Sequence, residues 1–404
     1  MRNIIRRKSQ TYPGYLNDFW KTYSSSSWFQ GDYINHFNQE YAKKIGVKHA
    51  IATSYGLHAM SLALDFYNFN QDNEILIPGY TAMVVKRCLD EMNISYQCVD
   101  IELTRGTMCP LDFEKKITPK TKGVLVTHLL GNSCSKEIIQ IARDHNLLII
   151  EDCAHVHGAF TNERPLGSLG DAAFFSFSYS KIINTYTGGM LLTNNDELRN
   201  FALKNLATTP FPTRKQLLRK LLLGHAENFV AIPLVTFLCA PIIKSNHLLK
   251  KIKNGLNYLT RKKVLNFFQY SNTQALQGLK QLGQLETTLK RKSDKARFIE
   301  ENTSIKYLER KDGDVYYNHI AIVPDAPKYR AELLKYGIDT GCGNSIMEIM
   351  RPEENLPGCL AAHKSYLMIP NYDSLTKIDL ERIVKAINAT DALLCGNSSS
   401  SQQA

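Results

Sequence analysis

The sequence lacks paired cysteines. Its nine Cys, at positions 88, 98, 109, 134, 153, 239, 342, 359 and 395, are odd in number and scattered, without the CxxC spacing of a zinc site or a dithiol redox motif. A reducing compartment and a chain without a metal centre are therefore expected. The stretch from Met1 to Tyr15 is basic but has no apolar core, which argues against a secretory signal and for a cytoplasmic protein. No uninterrupted apolar run approaches the ~18 residues of a membrane-spanning helix. No repeat at a fixed period is visible. The composition also lacks a bias toward disorder, with 44% hydrophobic and 22% charged residues. At about 150 residues per domain, 404 residues make two to three folding units.

What is present begins with charge. Lys and Arg number 49 against 38 Asp and Glu, a net +11 that suits an anionic partner. The surplus is local. Between Pro210 and Lys263 there are 11 Lys or Arg and one acid, Glu227, which accounts for +10. Inside that segment the run Phe229 to Ile243 carries no charge and is interrupted by Pro233 and Pro241. Two readings stay open: a shallow contact with an anionic membrane through 210–265, and a helical insertion packed on the protein or on a second subunit. Nucleic-acid binding is not expected, because the basic clusters flank an apolar run and do not interleave with aromatics.

Hydrophobic periodicity places a helix over Tyr33 to Ile45, a strand over His49 to Thr53 and a helix over Leu57 to Phe66, with the turn Ser54-Tyr55-Gly56 between the last two. Strands and helices then alternate up to Leu147–Glu151, the pattern of βαβ units in a mostly parallel sheet covered on both faces. Further strands are expected over Ala172 to Phe177 and Gly189 to Thr193, one long helical pattern over Asn272 to Thr303, and a small α/β unit after it. The division predicted is 1–209 for a large domain, 210–265 for the basic and apolar insertion, 266–395 for a connecting helix and small domain, and 396–404 for a disordered tail.

The chemistry is concentrated in Glu151-Asp152-Cys153-Ala154-His155-Val156-His157 and Phe175-Ser176-Phe177-Ser178-Tyr179-Ser180-Lys181, followed by Gly188-Gly189. Asp152 falls where a central strand ends, the edge at which open α/β sheets bind ligands. A carboxylate there can keep a pyridinium nitrogen protonated. Lys181 follows an apolar strand in a segment poor in charge, where a lysine can lose its proton and act as a Schiff-base amine. Ser176 can offer a hydroxyl to a phosphate. Together these define a pyridoxal phosphate site. Taken singly, each has a plain alternative: a solvated lysine, a structural histidine, a turn serine. Cys153 is read as a small core residue, His157 as structural and Asp171 as a turn residue.

The run EDCAHVHGA, its spacing to GSLGDAAFFSFSYSK and the following GG resemble the DegT/DnrJ/StrS family of sugar aminotransferases, with the aspartate aminotransferase fold. KKIGVKHAIATSYGLHAMSLAL, EILIPGYTAMVV and SNTQALQGLKQLGQLETTLKRKSDKA are similar to the same family. The resemblance implies an α/β fold: a large, mostly parallel-sheet domain that binds pyridoxal 5'-phosphate, and a smaller C-terminal α/β domain. It implies that Lys181 carries the cofactor and moves the proton, that Asp152 pairs with the pyridine nitrogen, that His155 lies near the ring hydroxyl, and that Ser176 contacts the phosphate. Gly56 with the amides of Leu57 and His58 would cradle that phosphate at a helix start. The implied reaction moves an amino group from an amino acid, glutamate foremost, to a nucleotide-linked keto sugar in surface-glycan or related sugar biosynthesis, in a homodimer. Four positions depart from the family pattern: Leu57 for a hydroxyl residue, Ala82 for an aromatic, Phe267-Phe268-Gln269 for Asn-Tyr-Arg, and Cys342-Gly343 for His-Tyr. They keep a non-catalytic, membrane-associated binding protein open as an alternative. Sugar dehydration, another activity of the family, is disfavoured because such members replace the lysine with His.

Overall fold

A computed structural model describes residues 3–230 and 265–396. The first half of the chain supplies β1 (His49–Thr53), β2 (Glu74–Pro78), β3 (Tyr80–Thr81), β4 (Ser95–Val99), β5 (Thr121–Thr127), β6 (Leu148–Asp152), β7 (Phe160–Thr161), β8 (Arg164–Pro165), β9 (Ala172–Ser176) and β10 (Gly189–Thr193). Seven of these form one sheet in the order β1-β10-β9-β6-β5-β2-β4. Neighbours from β9 to β4 are parallel, and only β10 runs against both of its neighbours.

The central strands are apolar at successive positions because both sheet faces are covered. Val124, Val126 and Ile149 point to one side and pack with Phe113, Ile138 and Ala142. Leu125 and Ile150 point to the other and pack with Ala59, Ala63 and Leu89. Each fully buried side chain of this size contributes roughly 1.5–3 kcal/mol, so the two layers hold the sheet edge that carries Asp152. The helix Gly56–Phe66 lies against β9 and β10 and is buried almost all round. Its Ala59 and Ala63 permit that close approach.

The second half builds a four-stranded antiparallel sheet, β11-β12-β15-β13, from β11 (Lys306–Tyr307), β12 (His319–Ile322), β13 (Gly341–Cys342) and, beyond β14 (Glu348–Ile349), β15 (Tyr366–Ile369). Helices Ala326–Lys335 and Lys377–Gly396 pack on it around Tyr329, Leu333, Ile383 and Ile387. The expected long helix is two, Asn272–Leu282 and Leu285–Glu301. At the junction Gln284 N–H turns back to the Gln281 carbonyl at 3.1 Å, and its φ of −107° leaves the helical range, so the turn tightens and the axis breaks.

The helix Tyr15–Tyr23 was not expected from periodicity. It forms an aromatic cluster with Tyr12, Tyr15, Phe19 and Tyr186, and Leu217 and Leu221 of helix Arg214–Val230 are buried in the same cluster. The described start of the basic segment therefore packs on the protein. Residues 231–264, which hold most of the apolar run Phe229 to Ile243, and the tail 397–404 lie outside the described residues. Among the described residues no helix is long and apolar enough to cross a membrane.

Candidate active site

Asp152 is the last residue of β6, buried at the carboxyl end of the sheet. Its carbonyl accepts the His128 N–H at 3.0 Å and its Oδ1 accepts the Ala154 N–H at 3.0 Å. Burial raises its pKa, and the Ala154 amide and the charges of Lys181 and His128 offset part of that rise. The strand next to it, β9, ends in Ser176 and turns toward Lys181, whose own N–H donates to the Ser178 carbonyl at 2.9 Å. Parallel pairing of β6 with β9 sets Asp152 opposite Phe174. Sheet register thus brings the carboxylate to the lysine loop.

His155 is buried just past β6. Its Nδ1 accepts the Leu130 N–H at 3.3 Å, which places the proton of the neutral ring on Nε2. Burial, then the Lys181 charge, then His157 hold its pKa well below the ordinary 6.5. Tyr317, just before β12, lies on the His155 ring with centres 4.2 Å apart, and Lys181 Nζ stands 5.1 Å from the centre of the same phenol ring. His157 has partners on both sides, Tyr41 Oη at 3.0 Å and the Ser176 carbonyl at 3.1 Å, consistent with a structural role.

The turn between β1 and helix Gly56–Phe66 meets the ends of β9 and β10. A Cβ on Gly56 would come within 3.1 Å of Ser176 Cβ and the Phe175 carbonyl, and a Cβ on Gly189 would lie 2.4 Å from the Gly56 nitrogen. At Gly189 only glycine allows this approach. The helix opens at Tyr55 in an extended conformation with no side-chain cap, and the His58 N–H, expected in the phosphate cradle, instead donates to the Tyr55 carbonyl at 3.1 Å. Leu57 is half-buried in the core, and it brings no hydroxyl to the turn. His58 bonds Ser54 Oγ at 3.1 Å through Nδ1, and Phe267 stacks on its ring at 4.1 Å. Gln269 is occupied elsewhere, its N–H on the Pro210 carbonyl at 3.0 Å and its Nε2 on the Thr209 carbonyl at 2.9 Å.

A cleft, open at its mouth, lies between the large sheet and the C-terminal α/β unit. Ala82, His155 and Lys181 line it together with Tyr317, Lys292 and the N-terminal segment Arg6 to Lys8. Lys181 and His155 were expected there; Asp152, Ser176, Gly56 and Leu57, expected with them, are not among its lining residues. Tyr317, Lys292 and the N-terminal cations were not expected, and for the last of these the local signal was a run of basic residues read only against a secretory leader. Within the buried trio His128, Glu151 and Cys153 the first two are hydrogen-bonded: Glu151 accepts the N–H groups of Gly167, Leu169 and Gly170 and meets the His128 ring at 3.1 Å. Cys153 is fully buried, its thiol pKa raised by burial first and then by Glu151 and Asp152.

Over its whole length the fold is similar to that of the aminotransferase TlmJ from Streptoalloteichus hindustanus, with a TM-score of 0.77, 18% identity, and coverage of 98% of this chain and 100% of that one. In sequence the chain is 38% identical over 169 residues to GDP-perosamine synthase of Caulobacter vibrioides, covering 42% of this chain and 46% of that protein. It is 32% identical over 194 residues to dTDP-3-amino-3,6-dideoxy-alpha-D-galactopyranose transaminase of Aneurinibacillus thermoaerophilus, covering 48% and 53%. The chain spans about half the length of the curated relatives it matches. Residues 15–228, slightly more than half the chain, match the family model and contain β1, β6, β9, β10 and the turns that gather Gly56, Asp152, His155, Ser176 and Lys181. With that match joined to the sheet order and the glycine-lined turn, the chain belongs to the DegT/DnrJ/EryC1/StrS aminotransferase family.

Proposed function

We propose that this protein transfers an amino group from an amino acid, glutamate foremost, to a nucleotide-linked keto sugar, using pyridoxal 5'-phosphate. The observation that carries the reading is that His155 and Lys181 line one cleft while Asp152 is buried behind it within reach of the Lys181 charge, beside a turn where Gly189 leaves no room for a side chain against Gly56. The residues fit the cofactor. A buried carboxylate with a raised pKa is suited to a cationic ring nitrogen, and the uncapped turn beside Ser176 is suited to a phosphate. When bound, the cofactor supplies an electron sink for charge developing at the substrate carbon.

The chain's own groups then have distinct work. Asp152 holds a proton on the ring nitrogen. The Gly56 and Leu57 amides, with the Ser176 hydroxyl, hold the phosphate in place of the hydroxyl that Leu57 lacks. His155, kept neutral by burial, has Nε2–H as the donor it can turn toward a ring oxygen. Lys181 Nζ takes a proton from the donor's α-carbon in one half-reaction and delivers one to the acceptor carbon in the other.

The proposal includes a homodimer working in the cytoplasm, the four-part chain division given above, and a peripheral membrane contact through 210–265. Eight free thiols among the described residues support a reducing compartment. The separate hydrophobic cluster around β12 and β15 supports the small domain. The test is spectroscopic. Protein loaded with pyridoxal phosphate is expected to show a visible band that glutamate shifts, borohydride is expected to fix the label on Lys181, and Lys181→Ala is expected to lose both. Failure to bind the cofactor, or a band that no amino acid moves, would refute the reading.

A further inference from the structure

We propose that the N-terminal segment Arg6 to Lys8, laid across the cleft mouth, is an anion-binding wall that receives the diphosphate of the acceptor substrate. The inference rests on the aminotransferase reading of the same cleft. Of the twenty residues lining that cleft, five are Lys or Arg and none is Asp or Glu; with Arg6 bonded to Asp339 and Lys181 assigned to the cofactor, the anion would meet Arg7, Lys8 and Lys292. One-signed charge on low-dielectric walls focuses potential into the space between them.

The segment is held at both ends. On the small-domain side Ile4 N–H donates to the Gly337 carbonyl at 2.9 Å, Asp339 N–H donates to the Ile4 carbonyl at 2.8 Å, and the Arg6 guanidinium forks onto the Asp339 carboxylate at 3.0 and 3.2 Å. On the large-domain side Ser9 Oγ donates to the Tyr179 carbonyl at 3.1 Å, and Asn184 Nδ2 donates to Ser9 Oγ at 2.8 Å and to the Gln10 carbonyl at 3.0 Å. Arg6 is thus the anchor, and its charge is matched by Asp339. Arg7 and Lys8 lie between the fixed ends with exposed side chains. Arg7 rests over the Tyr179 ring at 5.6 Å, two residues before Lys181, and Lys8 Nζ reaches Ser374 Oγ at 3.3 Å across the mouth.

Lys292 backs the wall from inside. It is buried on helix Leu285–Glu301 with Nζ donating to the Asn371 carbonyl at 2.6 Å, and burial brings its pKa down to about 8. An anion in the cleft would favour its charged form. The cations come from separate elements of one cleft. Two adjacent phosphates offer several cations more negative charge than the single distal carboxylate of an amino-acid donor.

Isothermal titration of the pyridoxal-phosphate-loaded enzyme with inorganic pyrophosphate, at low and at raised salt, tests the assignment. Binding is expected to weaken with salt, and Arg7→Ala with Lys8→Ala is expected to weaken it by about 10- to 100-fold and to flatten the salt dependence. Lys8→Ala alone, at an exposed side chain that folding does not need, should fall in between, and Arg7→Lys with Lys8→Arg should restore most of the affinity. Lys204→Ala, on the exposed face of helix Asp196–Thr208, is the control and should leave binding as it was. Pyrophosphate binding that is absent in the wild type, or equal in wild type and double variant, would overturn the assignment. So would a double variant that loses glutamate affinity instead. The glutamate-driven spectral change of the wild type tests the aminotransferase reading separately, so the two can fail independently.

Discussion

The Tyr317 phenol ring lies on the His155 imidazole, with centres 4.2 Å apart and planes 17° from parallel. Tyr317 lies just before β12 yet packs against the cluster of Cys153, Val156 and Phe177, and His155 lies in the loop after β6, so this contact joins two stretches of the cleft wall far apart in sequence. It also shields His155 from water while Leu130 N–H occupies Nδ1. The first prediction follows from that shielding. Tyr317→Ala should cost about 1–2 kcal/mol in urea unfolding, most of it the stacked pair, while Tyr317→Phe should stay near wild type. In the alanine variant the His155 ring should titrate closer to its ordinary 6.5, which NMR of the imidazole protons would register; a ring that still resists protonation would mean Tyr317 is not the cover.

Asp152 offers a test in which stability and activity move in opposite directions. Its folded pKa is raised above the ordinary 3.8, so it contributes stability only while protonated, and that contribution is lost as pH rises through the folded value. Asp152→Asn should therefore make the cofactor-free protein more stable than wild type near neutral pH and no more stable well below pH 3.8. The same variant should lose most turnover, by about 100-fold or more, because an amide cannot keep the ring nitrogen protonated. Near-normal turnover would mean that another acid does this work.

Glu151 should behave in the reverse sense. Burial would raise its pKa, but the His128 ring and the Gly167 and Gly170 amides prevail and the net shift is downward from 4.5. Its stabilisation is present above that value and is lost as pH falls through the lower folded one. Glu151→Gln turns an amide NH₂ toward N–H groups that need an acceptor, and should cost about 2–4 kcal/mol by urea unfolding at neutral pH. Its stability should also depend less on pH on the acid side.

Gly189→Ala probes the turn proposed to hold the phosphate. The added Cβ would meet the Gly56 nitrogen at 2.4 Å and the Tyr55 carbonyl carbon at 2.4 Å, both backbone atoms that cannot swing aside. The helix start must shift, at a cost of about 1–3 kcal/mol. Affinity for pyridoxal phosphate, read by equilibrium dialysis, should fall at least about tenfold. Unchanged affinity would place the phosphate elsewhere.

The local chemistry was legible in the chain because its parts are local. Strands β1 and β10 occupy the residues that alternation and flanking turns assign to them, and the two-sided apolar run of β6 announces a central parallel strand ending in Asp152. The segment from Asp152 to Lys181 spans a single strand crossover, so the spacing of its residues nearly dictates which side chains emerge at the sheet's carboxyl edge. The N-terminal helix Tyr15–Tyr23 has the spacing Tyr15, Phe19, Tyr23 of an amphipathic helix, but it is only nine residues long and its aromatic face is covered by Tyr186 and Leu217, far along the chain.

Only tertiary packing could decide the rest. That β10 inserts between β1 and β9, so that Gly189 meets Gly56, is a matter of strand order, which no local pattern encodes. That Tyr317 covers His155, and that Arg6 to Lys8 bridge two domains over the cleft, depends on contacts between segments hundreds of residues apart in sequence. Side chains such as these carry no periodicity of their own: an exposed arginine and a cleft arginine look alike until the Asp339 carboxylate and the Tyr179 ring are set beside them. The sequence by itself determined the family's local pattern from Asp152 to Lys181, because residue type at short spacing is a local property; the tertiary structure alone decided what walls surround it, because a cleft is defined by surfaces that meet only when the chain has folded.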